Sequence, residues 1–247
     1  MSGLSGKTAL VTGSSRGIGR GIAERLARDG ATVAVHYGRD GAAAGETIAA
    51  IEAAGGQAFG IQADLASMDD IRKLFVALDA RGGKLDILIN NAAALTSAYI
   101  EDTTEEIFDR IVSTNLRGTY FVTKYALERM GEGGRIVNIS SNCTRIAYPE
   151  VSVYGLTKAG IENMALGLAQ QLGARGITVN TVVPGIVDTD MNASWLSDDT
   201  KAYVSGLTAL RRLGSVEEIA NVVAFLASDQ ASWVTAQTIE ASGGCRI

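Results

Sequence analysis

Tyr154 and Lys158, four residues apart in Tyr154-Gly155-Leu156-Thr157-Lys158, put a phenol and an ammonium on one face of a predicted helix. Reduction of a carbonyl needs a proton donor beside the developing alkoxide, and the reverse reaction needs a base in the same place. A free phenol has a pKa of about 10, and a neighbouring cation lowers it. Lys158 is spaced to supply that field. The spacing alone is weak, because Tyr120-Phe121-Val122-Thr123-Lys124 repeats it. That copy reads as helix packing with a solvated lysine, since no other chemical group keeps it company. Tyr154 does have company. Ser140 and Ser141 follow the strand-like run Arg135–Ile139, and a hydroxyl there could donate to a substrate oxygen as an oxyanion-hole donor does.

A second constellation sits near the N-terminus, in Thr12-Gly13-Ser14-Ser15-Arg16-Gly17-Ile18-Gly19. Glycines between a strand and a helix let the backbone turn sharply and approach a pyrophosphate, whose charge a helix N-terminus favours. A purely structural turn is the bland alternative. The second strand ends in Val35-His36-Tyr37-Gly38-Arg39-Asp40. An acidic residue at such an end suits the ribose hydroxyls of NAD, whereas basic groups suit the 2′-phosphate of NADP. Tyr37 stands where the carboxylate would be, and Arg16 and Arg39 lie close by in sequence, so NADPH is favoured over NAD. Asp40 is the counter-argument, because it could neutralise Arg39.

These groups need a scaffold. Apolar runs at Thr8–Thr12, Thr32–Tyr37, Ala58–Gln62, Asp86–Asn90, Arg135–Ile139, Thr178–Val183 and Gln237–Glu240 read as buried strands. Helical patterns fall near 18–29, 41–54, 69–80, 104–130, 153–174 and 216–227. Continuous apolar strands alternating with amphipathic helices predict an α/β fold, a doubly wound parallel sheet of about seven strands with helices on both faces. Ligands then bind at the carboxyl ends of the strands. With two prolines and no linker-like stretch, residues 1–247 read as one domain. The segment 188–207 is the poorest in regular pattern and reads as a mobile substrate lid.

The formal charge is −5 with no cluster of Lys and Arg, which argues against nucleic acid as a partner. Cys143 and Cys245 lack metal-type spacing and His36 is the only histidine, so no metal site, disulfide framework or Ser-His-Asp triad is expected. No signal-peptide core or membrane-length apolar run appears, and the chain reads as cytoplasmic.

Taken in order, these motifs resemble those of the short-chain dehydrogenases/reductases. Thr12–Gly19 looks like the family's TGxxxGIG turn, and Tyr154–Lys158 like its Tyr-xxx-Lys pair. Ser141 rather than Ser140 matches the family's spacing to the tyrosine. Asn115 matches its fourth catalytic residue, which distorts a helix and holds a water that relays protons to the lysine. The resemblance implies coenzyme contacts from Gly13, Ser15, Arg16, Gly17, Ile18 and Gly19, from Tyr37, Gly38 and Arg39, and from Tyr154 and Lys158 themselves. It adds Asp64 and Leu65 beside adenine, and Asn91, Ala92 and Ala93 in an NNAG-like motif whose last glycine is here Ala93. Pro184, Gly185, Ile186 and Thr189 resemble the segment that orients the nicotinamide carboxamide. Thr96, Cys143, Tyr148, Met191 and Trp195 are the substrate-facing candidates, together making a largely apolar pocket. The implied activity is NADPH-dependent reduction of a small-molecule ketone. The alternatives are an NAD-dependent alcohol dehydrogenase working oxidatively, a 3-oxoacyl-thioester reductase with Arg145, Arg211 and Arg212 as a basic patch, and, remotely, a non-catalytic dinucleotide-binding regulator. A homotetramer or dimer built from the helices near 104–130 and 153–174 is expected.

Overall fold

A computed structural model describes residues 3–189, 192 and 196–245. Seven parallel strands form one sheet in the order β3-β2-β1-β4-β5-β6-β7. Along the chain these run β1 (Thr8–Val11), α1 (Gly17–Arg28), β2 (Thr32–Tyr37), α2 (Gly41–Ala53), β3 (Gln57–Gln62), α3 (Met68–Asp79) and β4 (Leu85–Asn90). Then follow α4 (Glu105–Val112), α5 (Thr119–Leu127), β5 (Met130–Ile139), α6 (Ser152–Leu172), β6 (Thr178–Pro184), α7 (Asp198–Gly206), α8 (Val216–Ala227) and β7 (Thr238–Ala241). This is the Rossmann-type arrangement, and its strand order reverses between β1 and β4, where a crevice opens for a ligand.

Alternation along each strand explains why the runs are apolar throughout. Ala9, Val11, Val33, Val35, Ile87 and Ile89 pack against Ile22 and Leu26 of α1 and Ile219 and Val223 of α8. The residues between them, Leu10, Ala34 and Leu88, face Leu74 and Phe75 of α3, Val122 of α5 and Ala165 of α6. Both faces are therefore buried, so neither can be polar.

Three elements differ from the sequence reading. The pattern at 104–130 is not one helix: α4 and α5 are separated by a π-helical stretch, Ser113–Gly118, and β5 already begins at Met130. The segment 188–207 is partly regular. Its second half is α7, whose N-cap Ser197 accepts from Thr200 N–H and whose first turn carries Asp198 and Asp199. Those acidic residues favour the positive end of the helix dipole, but they also make the stretch look like loop in composition.

Candidate active site

The turn after β1 is held by side chains bonded to main-chain groups and by close backbone packing. Thr12 Oγ1 accepts from the N–H groups of Asn91 (2.9 Å) and Ala92 (3.0 Å), and Asn91 Nδ2 donates to the carbonyls of Thr12 and Gly13, each at 2.9 Å. Gly13 has φ +64°, and a Cβ on it would stand 2.8 Å from Ala92 Cα. A Cβ on Gly19 would overlap the Gly13 carbonyl oxygen. The turn and the end of β4 are thus pressed together across the switch point. Thr189 joins them, its Cβ 3.7 Å from where a Cβ on Gly17 would lie. Helix α1 starts here without a side-chain cap, whereas Asp40, Ser67, Thr104, Ser197 and Ser215 cap α2, α3, α4, α7 and α8. Its first N–H groups therefore have no protein side chain as acceptor, which suits a phosphate. Ser15 and Ile18 are half-buried, Arg16 is exposed, and Ala93 is half-buried.

At the far end of the crevice Gly38 and Arg39 are exposed and Tyr37 is half-buried. Asp40 does not neutralise Arg39. Its carboxylate accepts from Ala43 N–H at 3.0 Å as the cap of α2. Among the described residues neither Arg16 nor Arg39 makes an ion pair. Leu65 is buried, and the Asp64 carboxylate is bound by Arg110 at 3.0 and 2.8 Å. Partial burial pulls the Asp64 carboxyl upward, but the Arg110 guanidinium and the Ala66 N–H outweigh it and hold it below the usual carboxylate range.

One further residue of this region was assigned no role in the sequence. His36 is buried, with Nδ1 accepting from Gly13 N–H (2.9 Å), so Nε2 carries the proton and donates to Ala63 O (3.1 Å). The imidazole joins the glycine turn to the segment before Asp64. Burial pushes its pKa down to about 4, against smaller upward pulls from the Ala63 bond and the Asp64 charge. The available signal was its place in an apolar strand buried on both faces, where an imidazole must find partners.

The four groups expected around the reacting carbon come from three elements. Ser141 follows β5, Tyr154 and Lys158 lie on α6, and Asn115 lies in the π-helical stretch. Lys158 is buried, donates to Ile139 O at 2.7 Å, and stands 5.4 Å from the centre of the Tyr154 ring. The Ser141 hydroxyl favours the ionised form of the Tyr154 phenol. Asn115 is fully buried, and its carboxamide accepts from Ala94 N–H (2.7 Å) while donating to Ala94 O (2.9 Å) and Thr157 Oγ1 (3.2 Å). The widened helical turn thereby ties the loop after β4 to the residue beside Lys158, which is the visible work of this side chain.

Electrostatics here run against the simple expectation that Lys158 lowers the phenol's pKa. Burial raises Tyr154 above its ordinary value, with the Cys143 thiol adding to the rise and Ser141 partly offsetting it. Burial also lowers Lys158 to about 8. Both groups are taken out of water, and the ammonium binds a carbonyl rather than the phenol, so desolvation dominates. The phenol stays protonated, the form needed to donate to an alkoxide.

Cys143 is half-buried beside Ser141, and burial pushes its thiol up, away from the thiolate form. Thr96 is exposed and Tyr148 half-buried. Met191 and Trp195 lie outside the described residues. The second Tyr-xxx-Lys copy is superficial: Tyr120 is exposed, and Lys124 lies over the rings of Phe121 and Tyr125.

Residues 13–246 match the family model described as enoyl-(acyl carrier protein) reductase. The chain is 44% identical to a solved structure of LugOII, described as a promiscuous reductase catalysing keto-reduction at C1 during lugdunomycin biosynthesis, with TM-score 0.94 and 99% of each chain covered. It is 44% identical to the angucycline C-6 ketoreductase LanV solved with bound NADP, with TM-score 0.93, covering 98% of this chain and 96% of that one. It is 39% identical to the 3-oxoacyl-[acyl-carrier-protein] reductase FabG of Staphylococcus aureus, over 96% of this chain and 97% of the relative.

Proposed function

This chain belongs to the short-chain dehydrogenase/reductase family, and from that premise we propose that it reduces a small-molecule ketone to a secondary alcohol with NADPH. The observation that carries this reading is the buried phenol of Tyr154, carried one helical turn before the buried Lys158, whose ammonium stands 5.4 Å from its ring centre. The crevice fits the coenzyme: an uncapped helix N-terminus for the pyrophosphate, backbone-tight glycines beneath it, and Arg16 and Arg39, neither held in an ion pair among the described residues, for a 2′-phosphate. When bound, NADPH supplies the hydride. Ser141 donates a hydrogen bond to the substrate oxygen, and Tyr154 gives it the phenolic proton as negative charge develops. Lys158, an ammonium fixed by Ile139 O, anchors the ribose and replenishes the phenol's proton. Asn115 holds the Ala94 loop against α6.

Likeness to FabG favours a second reading, reduction of a carrier-bound 3-oxoacyl thioester. The free ketone is preferred because the expected basic patch is largely neutralised. Arg145 pairs with Glu162 at 2.8 Å and Arg212 with Glu218 at 2.6 Å, and Arg211 donates to the Gly206 carbonyl.

Three further expectations belong to the same reading. The segment 188–207 serves as a lid over the substrate. Association into a homotetramer or dimer finds apolar surface in Ile100, Phe108 and Leu156, exposed around a cavity of about 510 Å³ on the outer side of α4 and α6, and in Trp233, 97% exposed shortly before the edge strand β7. No helix among the described residues is long and apolar enough to cross a membrane, which is compatible with a cytoplasmic enzyme.

The deciding experiment follows oxidation of NADPH and of NADH against a panel of ketones, quinones and 3-oxoacyl thioesters, with Tyr154→Phe alongside. NADPH-preferring turnover of free ketones that the substitution removes is expected. Undiminished turnover in Tyr154→Phe would overturn the mechanism, and preference for thioesters would promote the second reading.

A further inference from the structure

Strand β5 ends at Ile139, and the next six residues carry one of the reacting groups, Ser141, on an irregular path. A hydroxyl that must meet a substrate oxygen needs its backbone fixed, since a misplacement of about 1 Å can cost on the order of a hundredfold in rate. Main-chain bonds do part of this. Ser140 N–H donates to Val182 O at 2.8 Å, and a single 3₁₀ turn, Asn142–Thr144, follows Ser141. Neither ties the loop to α6, where the proton donor resides.

Glu162 makes that tie. It lies on α6 one helical turn beyond Lys158 and two beyond Tyr154, so the three side chains share a face. Its side chain is 13% exposed. Oε1 accepts from Ser140 Oγ at 2.6 Å and from Thr144 Oγ1 at 2.8 Å, and Oε2 accepts from the Arg145 guanidinium at 2.8 Å. Arg145 also donates to Thr144 Oγ1 at 2.9 Å. These partners stand on both sides of Ser141 in sequence. Lys158 grips Ile139 O from the same helix, so the loop is clamped to α6 before, beside and after Ser141.

Resting on the reductase reading above, we propose that Glu162 is a positioning residue for the reaction, holding the Ser141 hydroxyl in register with the Tyr154 phenol. The choice of residue fits the task. Three donors need two acceptor oxygens, which a carboxylate supplies and an amide does not. A largely buried carboxylate is costly unless bonded in this way, and the network orients a loop, Ser140-Ser141-Asn142-Cys143-Thr144-Arg145, made mostly of polar residues. The glycine turn and the Arg16 and Arg39 end of the coenzyme crevice lie on other elements, and the Glu162 carboxylate is engaged by Ser140, Thr144 and Arg145, so coenzyme affinity is expected to change little when Glu162 is replaced.

The test is a double-mutant cycle on the intact protein, with kcat and KM for the best ketone of the panel and Kd for NADPH measured separately. Glu162→Ala is expected to lower kcat by roughly tenfold to a hundredfold, within the range for disturbing a single oxyanion donor, with NADPH Kd unchanged. Glu162→Gln, which keeps one acceptor oxygen for the two hydroxyls but loses the Arg145 contact, is expected to recover part of that loss. In a Ser141→Ala background the Glu162 substitution is expected to cost little more, because the group it positions is gone. Multiplicative losses in the double variant, or a loss that appears in NADPH Kd, overturn the proposal. If Glu162→Ala fails to fold, Thr144→Val and Glu162→Gln run through the same cycle. Failure of the underlying reading looks different: Ser141→Ala itself leaves ketone turnover intact.

Discussion

On the β1–β3 side the site is shaped by main-chain atoms pressed together, Gly13 against Ala92 and Gly19 against Gly13. On the β5–α6 side it is shaped by side chains reaching across elements, with Lys158, Glu162 and Asn115 each bonded to a segment far away in sequence. The coenzyme is the same in every turnover and can be met by a rigid backbone mould. A ketone must be polarised, protonated and released, which calls for titratable groups whose aim can be adjusted by single residues. The difference also predicts how each side fails. Substitutions on the first side should act on coenzyme affinity, and those on the second, apart from the ribose-anchoring Lys158, on turnover.

The largest effect is expected at Tyr154. Tyr154→Phe should lower kcat by about 10²–10⁴, the usual worth of a general acid, and leave NADPH Kd within a few-fold. A large rise in Kd would break the division of labour between the two sides. Next comes His36, which links the glycine turn to β3 in its neutral form. Its folded pKa is about 4 against 6.5 unfolded, so the unfolded chain binds the proton first as pH falls. The stability from keeping it neutral is fully present above pH 6.5 and is lost as pH falls toward about 4, to a total of about 3 kcal/mol. Urea unfolding at a series of pH values checks this. The wild-type curve should fall more steeply than that of His36→Gln, and parallel curves would refute the assignment.

Gly19→Ala should weaken NADPH binding by roughly tenfold to a hundredfold, since forcing a methyl group into a filled site costs about 1–3 kcal/mol. Normal Kd with reduced kcat would contradict the mould description. The smallest effect is expected at Arg39. Arg39→Ala should raise Kd for NADPH about tenfold, the worth of one hydrogen bond to a charged group, and leave that for NADH unchanged. Equal changes for both coenzymes would show that Arg39 does not read the 2′-phosphate.

The two sides were unequally legible in the sequence. Glycines at Gly13, Gly17 and Gly19 announce a backbone requirement in their own type and spacing, and the strand runs announce burial on both faces. Glu162 carried no such signal. A glutamate among the polar positions of α6 looks solvated until Ser140, Thr144 and Arg145 are folded onto it. The π-helical stretch at Ser113–Gly118 was legible only through the resemblance at Asn115, and α7 was hidden by its acidic, polar composition.

By itself, then, the amino-acid order determined the strand-and-helix alternation, the parallel sheet, the family motifs and the identities of the phenol, ammonium and hydroxyl. These depend on local period and on residue type, which survive in a linear string. Tertiary structure alone decided that Asp40 caps a helix instead of neutralising Arg39, that Lys158 grips Ile139 O, and that burial raises the Tyr154 phenol instead of the lysine lowering it. Hydrogen-bond partners and desolvation are set by what surrounds a group in space, and those surroundings come from segments far apart in the chain.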